Sequence, residues 1–350
     1  MSAWNHVPLA RSLGSWAEAW DALNRELNDA HPLLDSRFVD ALLKYFAGGD
    51  EVLCVHRSAD RIDGLCILCP KGRGAWTTFL PAQAQIAPLL LKDGATLGAL
   101  FAGGLPGWAS MVDFMCQDPA FSALANLDGI PATAMDHALT INIDIAGEAG
   151  EAGGFDAYWA QRSKNLTHNI RRYANRLEKD GVRRRLVRLA EAAQMRDAVA
   201  RYGELESSGW KGREGTAIHI DNAQGRFYRE VLERFAASGQ AAVYESWFDD
   251  RLAASRLVIV SPAMTVILKT AYDESLSGFA PGRLQLFDLI GQTFAEGGRR
   301  TIEFYTNATS DQLAWATGQR TIRHVTVFRN AGVRLAYETG RRLLRRLRTR

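Results

Sequence analysis

Residues 264–298 read MTVILKTAYDESLSGFAPGRLQLFDLIGQTFAEGG, and their order of elements decides the fold of the C-terminal half. The apolar run 264–272 predicts a strand. It leads into a loop holding Gly278, Pro281 and Gly282, which opens directly into an amphipathic helix predicted over 283–296. A strand, a glycine loop and a helix in that order leave backbone N–H groups free at a helix N-terminus, where the macrodipole adds positive potential. This makes an anion site. Arg283 can add a charge-assisted hydrogen bond to it. The next strand, predicted over 301–305 within TIEFYTN (301–307), is expected beside the first. Taken alone, a Gly-Pro turn before a helix also fits an ordinary helix start.

Outward from this stretch the elements alternate without strict βαβ repetition, which is a mixed α/β (α+β) pattern. Trp159, Leu166, Ile170, Tyr173 and Leu177 share one helical face over 156–179, and Gly181 closes that helix. Strand 182–189, helices 191–207 and 222–237, and strands 241–248 and 252–260 follow, the last two joined by a tight Asp249-Asp250 turn. Beyond the quoted stretch come helix 309–317 and strand 321–328. The N-terminal part reads as helices over 15–46 broken near His31-Pro32, then β-rich runs at 51–57, 62–69, 75–81, 109–116 and 138–145. GEAGEAGG (147–154) reads as a linker. The expected organisation is a domain over 1–150, a second over 151–330, and a basic C-terminal helix over 331–350.

Composition fits a folded, water-soluble chain: 47% of the 350 residues are hydrophobic and 23% charged. The first residues lack the apolar stretch of a signal peptide, and no apolar run approaches the roughly 20 residues of a membrane span. A cytoplasmic location is expected, with peripheral contact at the inner membrane. The net charge of +3 hides an asymmetry, because residues 158–188 carry net +8 and residues 340–350 carry +6. The remaining body is acidic, and the two basic segments suit phosphates, anionic lipid or nucleic acid. Cys66 and Cys69 form a CxxC, but no second CxxC or nearby histidine pair completes a tetrahedral site. With Cys54 and Cys116 they are expected to be buried, reduced thiols, and no metal is expected.

The strand, phosphate loop, helix and strand of 264–305 resemble the acyl-CoA-binding core of GNAT acyltransferases. The segment GFAPGRLQLFDLI (278–290) is similar to the loop of a branch encoded near cellulose and exopolysaccharide biosynthesis genes (CelD-like), which has FemAB-like peptidyltransferase relatives. RSKNLTHNIRRYANRLEKDG (162–181), ESSGWKGREGTAI (206–218) and EFYTNATSDQLAWATGQR (303–320) agree in order. The resemblance implies two tandem GNAT-like domains, the N-terminal one degenerate. The commonest GNAT loop opens on Arg or Gln; here Ser277 stands in that place, and Pro281 removes one backbone donor.

In such enzymes an amine attacks the thioester directly, so the protein orients both substrates, takes a proton from the amine and protonates the departing thiolate. The resemblance implies Glu303 as base, directly or through water, and Tyr305 as acid; two apart on a strand, they share one face. The bland alternative is a solvated Glu and a packed Tyr. Acetyl-CoA or another acyl-CoA is the implied co-substrate, held by Thr270, Tyr272, Gly278, Phe279, Ala280, Pro281, Gly282, Arg283 and Asn307. Trp210, Lys211 and Arg213, in a glycine-flanked loop, are candidates for acceptor binding. Trp315 fits helix packing equally well, and His324 reads as a structural histidine.

Arg162, Lys164, Arg171, Arg172, Arg176 and Lys179 lie outside the apolar face of their helix, either as a solvated surface or as a binding face for an anionic acceptor or a tRNA. The leading function is N-acyl transfer from acyl-CoA to an amino sugar or related small amine in polysaccharide or envelope biosynthesis. The alternatives are a FemAB-like transferase using aminoacyl-tRNA, and a non-catalytic module docked on a membrane complex through 340–350.

Overall fold

In the computed structural model, which describes residues 2–125, 127–145, 148–208, 218–298 and 301–348, the chain forms two units. One is Met1–Leu139 with Arg320–Arg350; the other is Thr140–Gln319. These boundaries differ from the expected division at 150 and 330, because the last strand and helix belong with the N-terminal residues.

The first unit begins with β1 (Ser2–Pro8), α1 (Ala17–Asn28) and α2 (Ser36–Phe46). The Asp35 carboxylate caps α2 by accepting from the Arg37 N–H at 2.9 Å, and Phe38, Val39, Leu42 and Leu43 bury its apolar face. β2 (Val52–Ser58), β3 (Arg61–Gly72), β4 (Ala75–Thr78), β5 (Leu89–Leu91), β6 (Met111–Gln117) and β7 (Ala132–Asp144) follow. β1 to β4 pair antiparallel in sequence, β5 pairs β3, and β6 joins β4 in parallel. Trp4, Cys54, Cys66, Leu100, Val112 and Phe114 pack in its core.

The second unit starts with α3 (Glu148–Ala160) and α4 (Lys164–Lys179). The single helix expected over 156–179 is thus two, because Ser163 is extended at ψ 144° and its hydroxyl caps α4 by accepting from the Leu166 N–H. The expected linker is helical from Glu148, with a break at Gly154 (φ 59°); residues 146 and 147 lie outside the described residues. Gly181 (φ 69°) ends α4 as expected.

β8 (Arg184–Leu189), α5 (Ala192–Ser207), α6 (Ala223–Ala236), β9 (Ala241–Phe248), β10 (Arg251–Val260), β11 (Met264–Tyr272), α7 (Pro281–Glu296), β12 (Thr301–Glu303) and α8 (Ser310–Leu313) complete the unit. Its sheet runs β7, β12, β11, β10, β9, β8 through residues 140–144 of β7. Among the described residues of this sheet, only the β11–β12 pair is parallel. α3, α4 and α7 cover one face, burying Tyr158, Ile170, Leu284, Leu289 and Ile302 together, and α5 and α6 pack on the other.

The chain then returns to the first unit. Within it, β13 (Gly318–Phe328) pairs antiparallel with β6, and α9 spans Ala331–Arg348. Arg320, at the entry to that unit, holds the buried Asp118 carboxylate through Nε at 2.8 Å and Nη2 at 2.6 Å. Two charges 202 positions apart thereby fix where β13 enters, an ion pair that breaks at high cost if either partner is lost.

Candidate functional site

β11 and β12 part company early. Their parallel register holds for Met264↔Thr301, Thr265↔Ile302 and Val266↔Glu303 only. β11 then continues to Tyr272, while β12 stops at Glu303 and Tyr305 turns left-handed at φ 47°. A side chain with a Cβ rarely adopts that φ, so the turn is a held feature of the site.

A bulge aims the splayed part of β11. The register with β10 jumps from Leu257↔Lys269 to Val258↔Ile267, leaving Leu268 as the extra residue. Ile267 packs in the α7-side core; the bulge then resets the alternation, so that Thr270 and Tyr272 also face α7. Lys269 instead lies over the Tyr228 ring of α6, its ammonium 5.7 Å from the ring centroid.

The result is a cavity of about 600 Å³ between the end of β11, the first turn of α7, Phe304, Trp315 and α8. Of the nine residues expected to hold a cofactor, Thr270, Tyr272, Ala280, Pro281, Gly282 and Arg283 line it. Gly278, Phe279 and Asn307 are not among the lining residues. Arg176 of α4 donates to the Gly278 carbonyl at 3.2 Å and covers the Phe279 ring, and Asn307 is exposed.

The loop offers few backbone donors. The Ala280 N–H is used by the Ser277 carbonyl, Pro281 has none, and the Arg283 N–H returns to the Ala280 carbonyl at 3.0 Å. Gly282 is left as the first-turn N–H without an intrahelical partner. Arg283 is also engaged: its guanidinium is ion-paired with Asp311.

Arg256, which sequence reasoning missed, lies opposite Thr270 in the register and lines the cavity floor. Its Nη1 donates to Gln285 Oε1 and its Nη2 to the Gly282 carbonyl, both at 2.9 Å. Gln285, fully buried on α7, donates in turn to the Tyr244 carbonyl at 2.7 Å and the Ala254 carbonyl at 2.9 Å. Burial pushes the guanidinium down to about 10, still charged at neutral pH. The available signal was an arginine inside an otherwise apolar strand, LAASRLVIV.

Glu303 is buried at 2% exposure, so it is not a solvated strand-end residue. Ile302 and Phe304 face the α7 side, and alternation therefore puts Glu303 on the opposite face, at the splay. The expected shared face with Tyr305 does not follow from strand geometry, because β12 ends at 303. Tyr305 is buried as well. Trp210, Lys211 and Arg213 lie outside the described residues.

The basic face of α4 is smaller than expected. Arg162 donates to the Trp315 carbonyl at 3.2 Å and the Ala316 carbonyl at 2.5 Å, so it is structural. Lys164, Arg171, Arg172, Arg176 and Lys179 are exposed.

Two of the four cysteines are only half-buried, Cys69 and Cys116. In the first unit Cys116, His137 and His324 bring ligand-type atoms within 4.8 Å of one another. The Cys116 backbone N–H donates to His324 Nδ1 at 3.0 Å, which leaves the proton of the neutral ring on Nε2. Burial pushes the Cys116 thiol up to about 11, away from the thiolate that a metal takes. This geometry suits a structural histidine better than a ligand.

Residues 164–312 match the acetyltransferase (GNAT) domain family. The splayed strands, the loop and α7 fall inside that match, and this stretch is similar to GNAT-type N-acyltransferase domains. Similar folds extend over nearly the whole chain. FemX aligns at TM-score 0.59 with 10% identity, over 93% of this chain and 98% of that one. A protein of unknown function from Bacteroides thetaiotaomicron gives 0.55 and 9%, over 92% and 99%. The C-terminal domain of an Agrobacterium fabrum protein assigned as a lysylphosphatidylglycerol synthetase gives 0.52 and 13%, over 92% and 96%. At these identities the likeness is one of fold alone. No curated protein matches the chain by sequence.

Proposed function

We propose that the chain transfers an acyl group from acyl-CoA, acetyl-CoA in the first instance, to the amine of an amino sugar or related small acceptor in polysaccharide or envelope biosynthesis. The observation that carries this reading is the cavity of about 600 Å³ at the β11–β12 splay, lined by Gly282 and its neighbours in the first turn of α7. The donor would supply an activated thioester, and Thr270, Tyr272 and residues 280–283 would hold it. Glu303, on the sheet face opposite that cavity, is the candidate to take a proton from an acceptor amine approaching from that side. Tyr305, at the left-handed turn, is the candidate to protonate the departing thiolate. Keeping donor and acceptor on two sides of one gap orients them for direct attack. Native mass spectrometry of the purified protein and melting with acetyl-CoA test the reading. A melting temperature unmoved by acetyl-CoA, longer acyl-CoAs and CoA sinks it.

A second reading, an aminoacyl-tRNA donor, is favoured by one observation. α4 exposes Lys164, Arg171, Arg172 and Lys179, and Arg176 from the same helix touches the loop at Gly278. Steeply salt-dependent tRNA binding, lost on reversing Arg171 and Arg172, would select it. The first unit, under either reading, is proposed as a degenerate GNAT-like half. α9 exposes Leu335 and Leu343 and carries Arg341 and Arg342, which supports peripheral contact with an anionic membrane.

A further inference from the structure

Three facts at the cavity do not balance. The loop has Ser277 where the commonest pattern places a cation or amide. The loop's own arginine, Arg283, is taken by Asp311. Yet the cavity floor holds a second guanidinium, that of Arg256, whose hydrogen-bond partners are all neutral: the Gln285 amide oxygen and the Gly282 carbonyl. The Tyr202 hydroxyl acts on it electrostatically, and burial raises the pKa of that hydroxyl and keeps it protonated. Among the described residues its Nε is buried without a hydrogen-bond partner. A buried cation without a counter-charge costs several kcal/mol, a cost that the negative charge of a ligand would offset.

We propose that Arg256 supplies from β10 the positive charge that the loop lacks, and that it binds a phosphate group of the ligand together with the Gly282 N–H. Nη2 reaches the Gly282 carbonyl, and Arg256 and Gly282 both line the cavity at the N-terminus of α7. The helix has sixteen residues, long enough for its dipole to add to the site. Each Nη carries a second N–H beyond the one already used, and an arginine fork suits a phosphate. Gln285 fixes the guanidinium through two sheet carbonyls, which pre-orients it before any ligand arrives. The identity of the ligand rests on the acyl-CoA reading; the demand for an anion rests on Arg256 itself.

Calorimetric titration of the full chain with CoA, pantetheine (which has no phosphate) and inorganic pyrophosphate tests this. Arg256→Gln is expected to lose about tenfold or more in affinity for CoA and pyrophosphate, with pantetheine changed by no more than about twofold. Arg256→Lys, which keeps the charge but not the fork, should fall between. It also serves as the reading variant if Arg256→Gln does not fold. Unchanged CoA and pyrophosphate affinity in Arg256→Gln overturns the proposal and leaves the acyl-CoA reading standing. An equal loss for pantetheine also overturns it, since Arg256 would then only shape the helix start. Wild-type binding of pyrophosphate but not CoA, sensitive to Arg256, keeps the anion site and removes the acyl-CoA reading. Binding of neither overturns both.

Discussion

Arg283, the third residue of α7, is ion-paired with Asp311 at the start of α8, its Nε lying 3.2 Å from Oδ2. The residue expected from sequence as an anion contact is therefore held by the protein's own carboxylate. Both side chains are partly exposed, so the pair is worth about 0–1 kcal/mol. Asp311→Asn is expected to leave the melting temperature nearly unchanged and to raise CoA affinity, by about fivefold at most, as Arg283 is released. Arg283→Glu should lower it. Calorimetric titration checks both, and an affinity indifferent to the two changes would remove Arg283 from the binding site.

His31 makes stability depend on pH. It is fully buried, and burial holds its pKa down at about 3 against an ordinary 6.5. Between those values the unfolded chain takes a proton that the folded one refuses, so stability is complete above pH 6.5 and falls as pH drops toward 3. His31 Nδ1 accepts from the Leu33 N–H at 3.2 Å, and Asn can replace it as a cap. His31→Asn is expected to flatten the acid limb of urea-unfolding midpoints measured between pH 4 and 7. An unchanged slope would assign acid sensitivity elsewhere.

Two glycines hold the segment that follows residues 209–217. A Cβ on Gly203 of α5 would stand 2.7 Å from the Ile218 carbonyl oxygen, and one on Gly225 of α6 would collide with the His219 carbonyl. The Ile218 N–H is meanwhile fixed by Glu206 Oε2 at 2.8 Å. Gly203→Ala and Gly225→Ala should each cost about 1–3 kcal/mol by overpacking against backbone. Gly98→Ala, whose nearest neighbour would be 3.9 Å away, should be close to neutral. Chemical denaturation of the three variants is the comparison.

Membrane contact through α9 makes a salt-sensitive prediction. Tyr337 packs on Phe328, with ring centroids 5.1 Å apart, while Leu335 and Leu343 stay exposed. Co-flotation with vesicles rich in anionic phospholipid is expected, and not with neutral vesicles. Reversing Arg341 and Arg342 to Glu should weaken it by more than about tenfold, at about 1 kcal/mol for each charge lost. Flotation that ignores lipid charge would exclude this contact.

Much of the second unit was legible locally. Strands 241–248 and 264–272 match expectation, helices 191–207 and 222–237 match within a residue, and Gly181 ends its helix as its position implies. Elsewhere local signals misled. The apolar stripe across 156–179 is continuous, yet a single Ser163 cap divides it. A glycine-rich stretch that reads as a linker is helical from Glu148, with a break at Gly154 before Phe155 to Trp159 pack on the core.

By itself the sequence determined the periodicity of these elements, the anion-friendly order of strand, loop and helix, and the asymmetry of charge, since each depends on neighbours a few positions apart. Only the tertiary structure decided what the site contains. The extra residue Leu268 is defined by cross-strand register, and it turns Thr270 and Tyr272 toward α7. Arg256 joins the cavity because β10 lies beside β11, Arg283 pairs with Asp311, and Arg320 takes β13 back to Asp118. Those relationships link residues 14 to 202 positions apart, and pairing over such distances is set by packing and buried charge, which no local pattern encodes.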